Sequence, residues 1–90
     1  MSKRVVVTGM GVVTPIGTGL DAYWEGLSSG KSGGGLITKF DTSPFSIRIA
    51  AEVKDFDPAA WMPEKEIERT DPYVHFAVAA AVQAVEQSGL

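Results

Sequence analysis

A chain of ninety residues holds one small domain at most, because domains typically run to about 100–150 residues and a chain this short buries only about 60–65% of its unfolded surface. The absence of cysteine excludes a disulfide framework, a thiolate metal site and a cysteine nucleophile. Eight Lys plus Arg against eleven Asp plus Glu leave a charge of −3, which argues against a general nucleic-acid binder, and a hydrophobic share of 44% sets the chain apart from disordered ones.

The first predicted element is a strand at 4–8. Val5-Val6-Val7 is β-branched and apolar on both faces, as in an interior strand covered on both sides. Gly9, Gly11, Pro15 and Gly17 then impose a loop. A helix is predicted at 20–29, where Leu20, Tyr23, Trp24 and Leu27 fall on one stripe. Thr18 is its expected N-cap, Asp21 suits the first turn, and Gly30 stands where a C-terminal cap belongs.

Residues 30–46 read as loop, because Gly33-Gly34-Gly35 carries a high entropic cost inside an element and Asp41-Thr42-Ser43-Pro44 is turn chemistry. Ile47, Ile49, Ala51 and Val53 alternate with Arg48, Ala50, Glu52 and Lys54, the pattern of a half-buried strand. Pro58 and Pro63 punctuate an irregular stretch, with a helical turn at 64–68. The last helix is predicted over 72–88, with Asp71 as cap, Pro72 at the first helical position and Gly89 just past the end. It is apolar nearly all round, so it must be buried on most sides or pack against a partner. The uncharged run from Pro72 to Val85 is fourteen residues, short of the roughly 20 that cross a membrane. The start lacks the apolar core of a secretory signal. A cytoplasmic location is the expectation.

Two glycine patterns invite nucleotide-binding readings. Gly9-Met10-Gly11-Val12-Val13-Thr14 matches G-x-G-x-x-G only to its second glycine, and Pro15 and Gly17 intervene before any helix can face a pyrophosphate. A tight turn leaving an interior strand is the favoured reading. Gly26-Leu27-Ser28-Ser29-Gly30-Lys31-Ser32 has one residue too few for a phosphate loop and sits at the wrong end of a helix. His75, the single histidine, has no second ligand at helical spacing and reads as a packing residue. Glu64, Glu66 and Glu68 interleave with Lys65, Ile67 and Arg69. A solvated, mixed-charge turn explains them, and the alternative is a docking patch with Lys65 and Arg69 on one face. Neither a metal site nor a cofactor is expected.

Across its length the sequence resembles β-ketoacyl-[acyl-carrier-protein] synthases, especially the FabF-like (type II) elongating enzymes. The resemblance is carried by Lys3-Arg4-Val5-Val6-Val7-Thr8-Gly9-Met10-Gly11-Val12-Val13-Thr14-Pro15-Ile16-Gly17, by Tyr23-Trp24-Glu25-Gly26-Leu27, and by Gly30-Lys31-Ser32-Gly33. It continues through Phe40-Asp41-Thr42-Ser43, Val53-Lys54-Asp55-Phe56-Asp57, Ala81-Val82-Gln83-Ala84 and Ser88-Gly89-Leu90. The resemblance implies an α/β chain, the N-terminal fragment of a thiolase-like fold and an incomplete half of its duplicated α/β/α architecture. Residues 1–90 would be the first part of the synthase N-terminal domain, with no separate second domain.

The implied activity is fatty-acid elongation. An acyl chain on an active-site cysteine condenses with malonyl on acyl carrier protein, and carbon dioxide leaves. The cysteine and two histidines of that reaction match nothing in these ninety residues, so the chain alone is expected to be inactive. A homodimer and acyl carrier protein are the implied partners, with neither nucleic acid nor membrane. Lys65 and Arg69 match basic positions at which the family meets the acidic carrier, while Glu68 stands where another basic residue is common. Two alternatives are a polyketide ketosynthase or a non-catalytic chain-length-factor-like subunit. A small nucleotide-binding module is a remote third.

Overall fold

A computed structural model describes residues 3–90. The chain divides into two compact units, one formed by Val13–Phe56 and the other by the residues up to Val12 together with Asp57–Leu90.

The Val13–Phe56 unit begins with a hairpin. Strand β1 (Val13–Thr14) pairs antiparallel with β2 (Gly17–Thr18), Thr14 facing Gly17. Pro15 and Ile16 make the turn, with proline's fixed φ at its first central position. The Thr14 hydroxyl donates to the Gly17 carbonyl at 2.7 Å. Helix α1 (Leu20–Ser28) follows, and its N-cap is Gly19 at φ 93° with no side-chain cap bond. The expected Thr18 cap is thus displaced by one residue, because the chain enters the helix through a left-handed conformation that favours glycine.

The apolar stripe of α1 also differs from expectation. Trp24 and Leu27 are exposed, and the buried residue is Gly26. A Cβ at Gly26 would lie 2.8 Å from the Ile16 carbonyl oxygen, so the helix approaches the hairpin through its smallest residue. At its end, Lys31 N–H donates to Gly26 O at 2.9 Å and Gly30 N–H to Leu27 O at 3.3 Å. With Gly30 at φ 75°, this is the double-bonded left-handed cap that satisfies orphan helix carbonyls.

The three-glycine stretch corrects a second expectation. Strand β3 (Gly34–Leu36) begins inside it and pairs antiparallel with β4 (Ile49–Ala51). Backbone pairing needs no side chains, and the ladder continues with Ile37 N–H to Arg48 O at 2.9 Å. The alternation at 47–53 does mark a strand, but a shorter one that is exposed rather than half-buried. Beyond it, the Glu52 carboxylate accepts from Thr38 N–H at 3.2 Å and from the Thr38 hydroxyl at 2.9 Å. Within the connecting loop, Arg48 Nε donates to Phe45 O at 2.9 Å and Arg48 Nη2 to Ser43 O at 3.0 Å. Phe40 and Phe45 meet edge to face.

In the second unit, residues 4–8 are not a paired strand. No described strand lies alongside to take their backbone groups, and with nothing packed over their faces Val5 and Val7 are 93% and 78% exposed. A short 3₁₀ turn at Pro58–Ala60 is capped by Asp57, whose carboxylate accepts from Ala59 N–H at 3.0 Å. Helix α2 (Glu64–Arg69) and helix α3 (Pro72–Ser88) complete the unit. The break between them is local in origin, since a residue before proline is driven out of the helical region, and Thr70 and Asp71 are both extended. Asp71 is the N-cap of α3, as expected, but by position only, with no side-chain bond. Gly89 closes α3 at φ 79°. Only His75 and Ala79 of α3 are buried, while Tyr73, Ala77, Ala81 and Val85 are exposed. The described chain therefore covers one face of a helix that is apolar almost all round.

Candidate functional site

The segment 9–12 packs along α3. A Cβ at Gly9 would collide with the Ala84 carbonyl, and one at Gly11 with the Ala80 carbonyl. The two glycines permit close approach of backbone to helix instead of a tight turn. Two glutamines of α3 then replace a neighbouring strand. Gln83 Oε1 accepts from Val12 N–H at 3.1 Å, and Gln83 Nε2 donates to Val12 O at 3.2 Å. Gln87 Oε1 accepts from Met10 N–H at 2.8 Å. These backbone groups face glutamine amides, and no nucleotide phosphate is needed to explain the glycines. Gly30-Lys31-Ser32 follows the C-terminus of α1, where carbonyls rather than amides converge, so a phosphate has no cradle there.

Lys65 and Arg69 lie on α2, exposed and four residues apart. Pro63 leads into the helix, Glu64 and Glu66 occupy the first turn, and Arg69 occupies the last. Both ends thus carry the charge that the helix dipole favours. Arg69 Nη1 stands 3.7 Å from Glu66 Oε1 in an exposed pair, an arrangement that contributes little to stability and leaves the guanidinium available. Lys65 makes no ion pair among the described residues. The patch therefore presents two cations on one face, diluted by Glu64 and Glu68 beside them.

The C-terminal end of α2 is held from α3. The Thr70 hydroxyl donates to Glu66 O. His75, 8% exposed, brings Nε2 to 3.0 Å from Thr70 Oγ1 and 3.3 Å from Ile67 O. A carbonyl can only accept, and the Thr70 proton is already committed to Glu66, so His75 Nε2 carries the hydrogen and donates to both. The packing role expected for His75 holds, and Thr70 is the partner that spacing did not reveal. Among the described residues no group of His, Asp and Glu is arranged to hold a metal ion, and no helix is long and apolar enough to cross a membrane.

Comparison with known proteins aligns nearly the whole chain. It is 50% identical over 88 residues to a 3-oxoacyl-[acyl-carrier-protein] synthase 2 of Synechocystis, covering 98% of this chain and 21% of that protein. The corresponding enzyme of Coxiella burnetii is 52% identical over 88 residues, with the same coverage. A putative polyketide β-ketoacyl synthase 1 of Streptomyces cyaneus is 50% identical over 91 residues. Among solved structures, the ishigamide ketosynthase/chain length factor superposes with a TM-score of 0.87 at 45% identity, covering 97% of this chain and 22% of that one. The chain thus spans about a fifth of the length of the relatives it matches, and its architecture is an α/β part of the thiolase-like fold. Residues 2–90 match the family described as the β-ketoacyl synthase N-terminal domain, and the chain belongs to that family.

Proposed function

We propose that this chain is the first part of the N-terminal domain of a 3-oxoacyl-[acyl-carrier-protein] synthase that elongates acyl chains in fatty-acid biosynthesis. The observation that carries this reading is the match of 50–52% identity to two type 2 synthases over 98% of the chain. In the complete enzyme the acyl chain is held as a thioester on a cysteine. Malonyl on acyl carrier protein loses carbon dioxide, the resulting enolate attacks the thioester carbonyl, and the cysteine thiolate leaves. Stabilising the enolate and oxyanion charge is the work of groups outside these ninety residues. The enzyme works in the cytoplasm as a homodimer.

The contribution of this segment is carrier recognition. Lys65 and Arg69 offer two exposed cations to an acidic carrier protein, and opposite charge on the two surfaces speeds productive encounter. Charge reversal of both residues in the complete enzyme should raise the KM for acyl carrier protein at low salt and leave kcat nearly unchanged. An unchanged KM at low salt would refute the docking role.

A second reading is favoured by the Streptomyces relative and by the ishigamide structure. The same segment also suits a polyketide ketosynthase, or a chain-length-factor subunit that keeps the fold without the nucleophile. A cysteine at the strand-to-helix elbow and two histidine motifs further along the polypeptide would decide for an enzyme over a chain-length factor. Condensation of malonyl with fatty acyl thioesters would decide between the pathways.

A further inference from the structure

We infer that His75 is a positioning residue for the carrier-docking helix, acting through the C-terminal end of α2; this rests on the docking role proposed for Lys65 and Arg69. Helix α2 has six residues, and helices far shorter than about 12–15 residues do not persist on their own. Its last carbonyls have no partner inside the helix. Two of them are taken by groups beyond its end, Glu66 O by the Thr70 hydroxyl and Ile67 O by His75 Nε2. The histidine also orients the hydroxyl, since its N–H occupies Thr70 Oγ1 as acceptor and leaves the hydroxyl proton for Glu66.

The two cations depend on that end. Arg69 is the last residue of α2, one position before Thr70. Lys65 and Arg69 share a face only while the turn between them is helical. Fraying of the last turn would separate the charges and swing Arg69 away from Lys65 without removing either. His75 itself is 8% exposed and α3 holds it inside the unit, so it has no route to direct contact with a carrier protein. Its effect on docking passes through α2.

The test uses the complete synthase with three variants. His75→Ala removes the shared donor, His75→Gln restores a side-chain N–H at similar reach, and Lys65→Glu/Arg69→Glu tests the docking reading by itself. His75→Ala should raise the KM for acyl carrier protein about fivefold, the fold-change expected from one lost hydrogen bond, with kcat per folded enzyme unchanged. His75→Gln should bring KM back to within about twofold of the parent. A purely structural role would lower the active fraction or the melting temperature and leave KM where it was. KM unchanged in His75→Ala while the double charge reversal raises it overturns the positioning role and leaves docking standing. KM unchanged in the charge reversal overturns docking, and the positioning role with it. Should His75→Ala not fold, Thr70→Val removes the hydroxyl that accepts from His75 and donates to Glu66, and a KM no higher than the parent's in that variant overturns the inference.

Discussion

Replacing Gln83 by Met keeps the length and apolar stem of the side chain and deletes both bonds to Val12. The bonds are 3.1 Å and 3.2 Å long, and both partners are partly buried. Each such bond is worth about 1 kcal/mol net, and an unmet buried backbone group costs about 1–3 kcal/mol. The loss should therefore be about 2 kcal/mol, rising toward about 4 kcal/mol if Val12 stays dry. Hydrogen exchange at the Val12 amide in the complete protein reads this directly, since about 2 kcal/mol corresponds to a roughly 30-fold faster opening. Gln83→Glu is the diagnostic companion. Its carboxylate still accepts from Val12 N–H but offers no donor to Val12 O, so protection should fall between the parent and Gln83→Met. An exchange rate in Gln83→Met within about twofold of the parent, where roughly 30-fold is expected, would show that the glutamine is not holding the segment.

Gly11→Ala should destabilise the protein by at least about 1–3 kcal/mol, because the new methyl collides with the rigid Ala80 carbonyl; chemical denaturation measures it. The Asp41 carboxyl is held below its ordinary value of 3.8 by the Ser43 backbone N–H first and the Ser43 hydroxyl second. The turn is therefore fully supported above that value and loses support as pH falls through the lowered one. Acid should weaken protection of the Ser43 amide, and Asp41→Asn, which keeps the accepting oxygen, should abolish the pH dependence. The isolated ninety-residue chain should be poorly folded or self-associating, because Val5, Val6, Val7, Trp24 and Phe40 are exposed. A sharp, monomeric, cooperative unfolding transition at micromolar concentration would contradict this.

Features set by neighbours in sequence were legible. Asp71-Pro72 and Gly89 bound α3 at Pro72–Ser88 as expected, because a proline and a left-handed glycine act on their own backbone. Gly30 ends α1 for the same reason. Features set by distant partners were not. Val5-Val6-Val7 has every local mark of a strand, yet strand pairing is supplied by another segment. The glycines of β3 carry no side-chain signal at all. Gln83 and Gln87 reach Val12 and Met10 across 71 and 77 residues of sequence, and a glutamine pair on an apolar helix was the one available hint. At the candidate site, spacing placed Lys65 and Arg69 on one face of a helix and marked His75 as a packing residue. The shared hydrogen bond with Thr70 depends on the angle between α2 and α3, which no pattern within either helix encodes.

The glutamine pair also measures length. Met10 and Val12 are two residues apart, a step of about 6.6 Å at the rise of an ideal strand. Gln87 and Gln83 are four apart on a helix, about 6.0 Å. The two repeats nearly coincide, so a second rung falls into place with a mismatch of about 0.6 Å. A shift of the segment by one residue would turn its backbone groups away from both amides and drive Met10 or Val12 against the helix where Gly9 and Gly11 now pass. The helix thus acts as a gauge that admits this segment in one register.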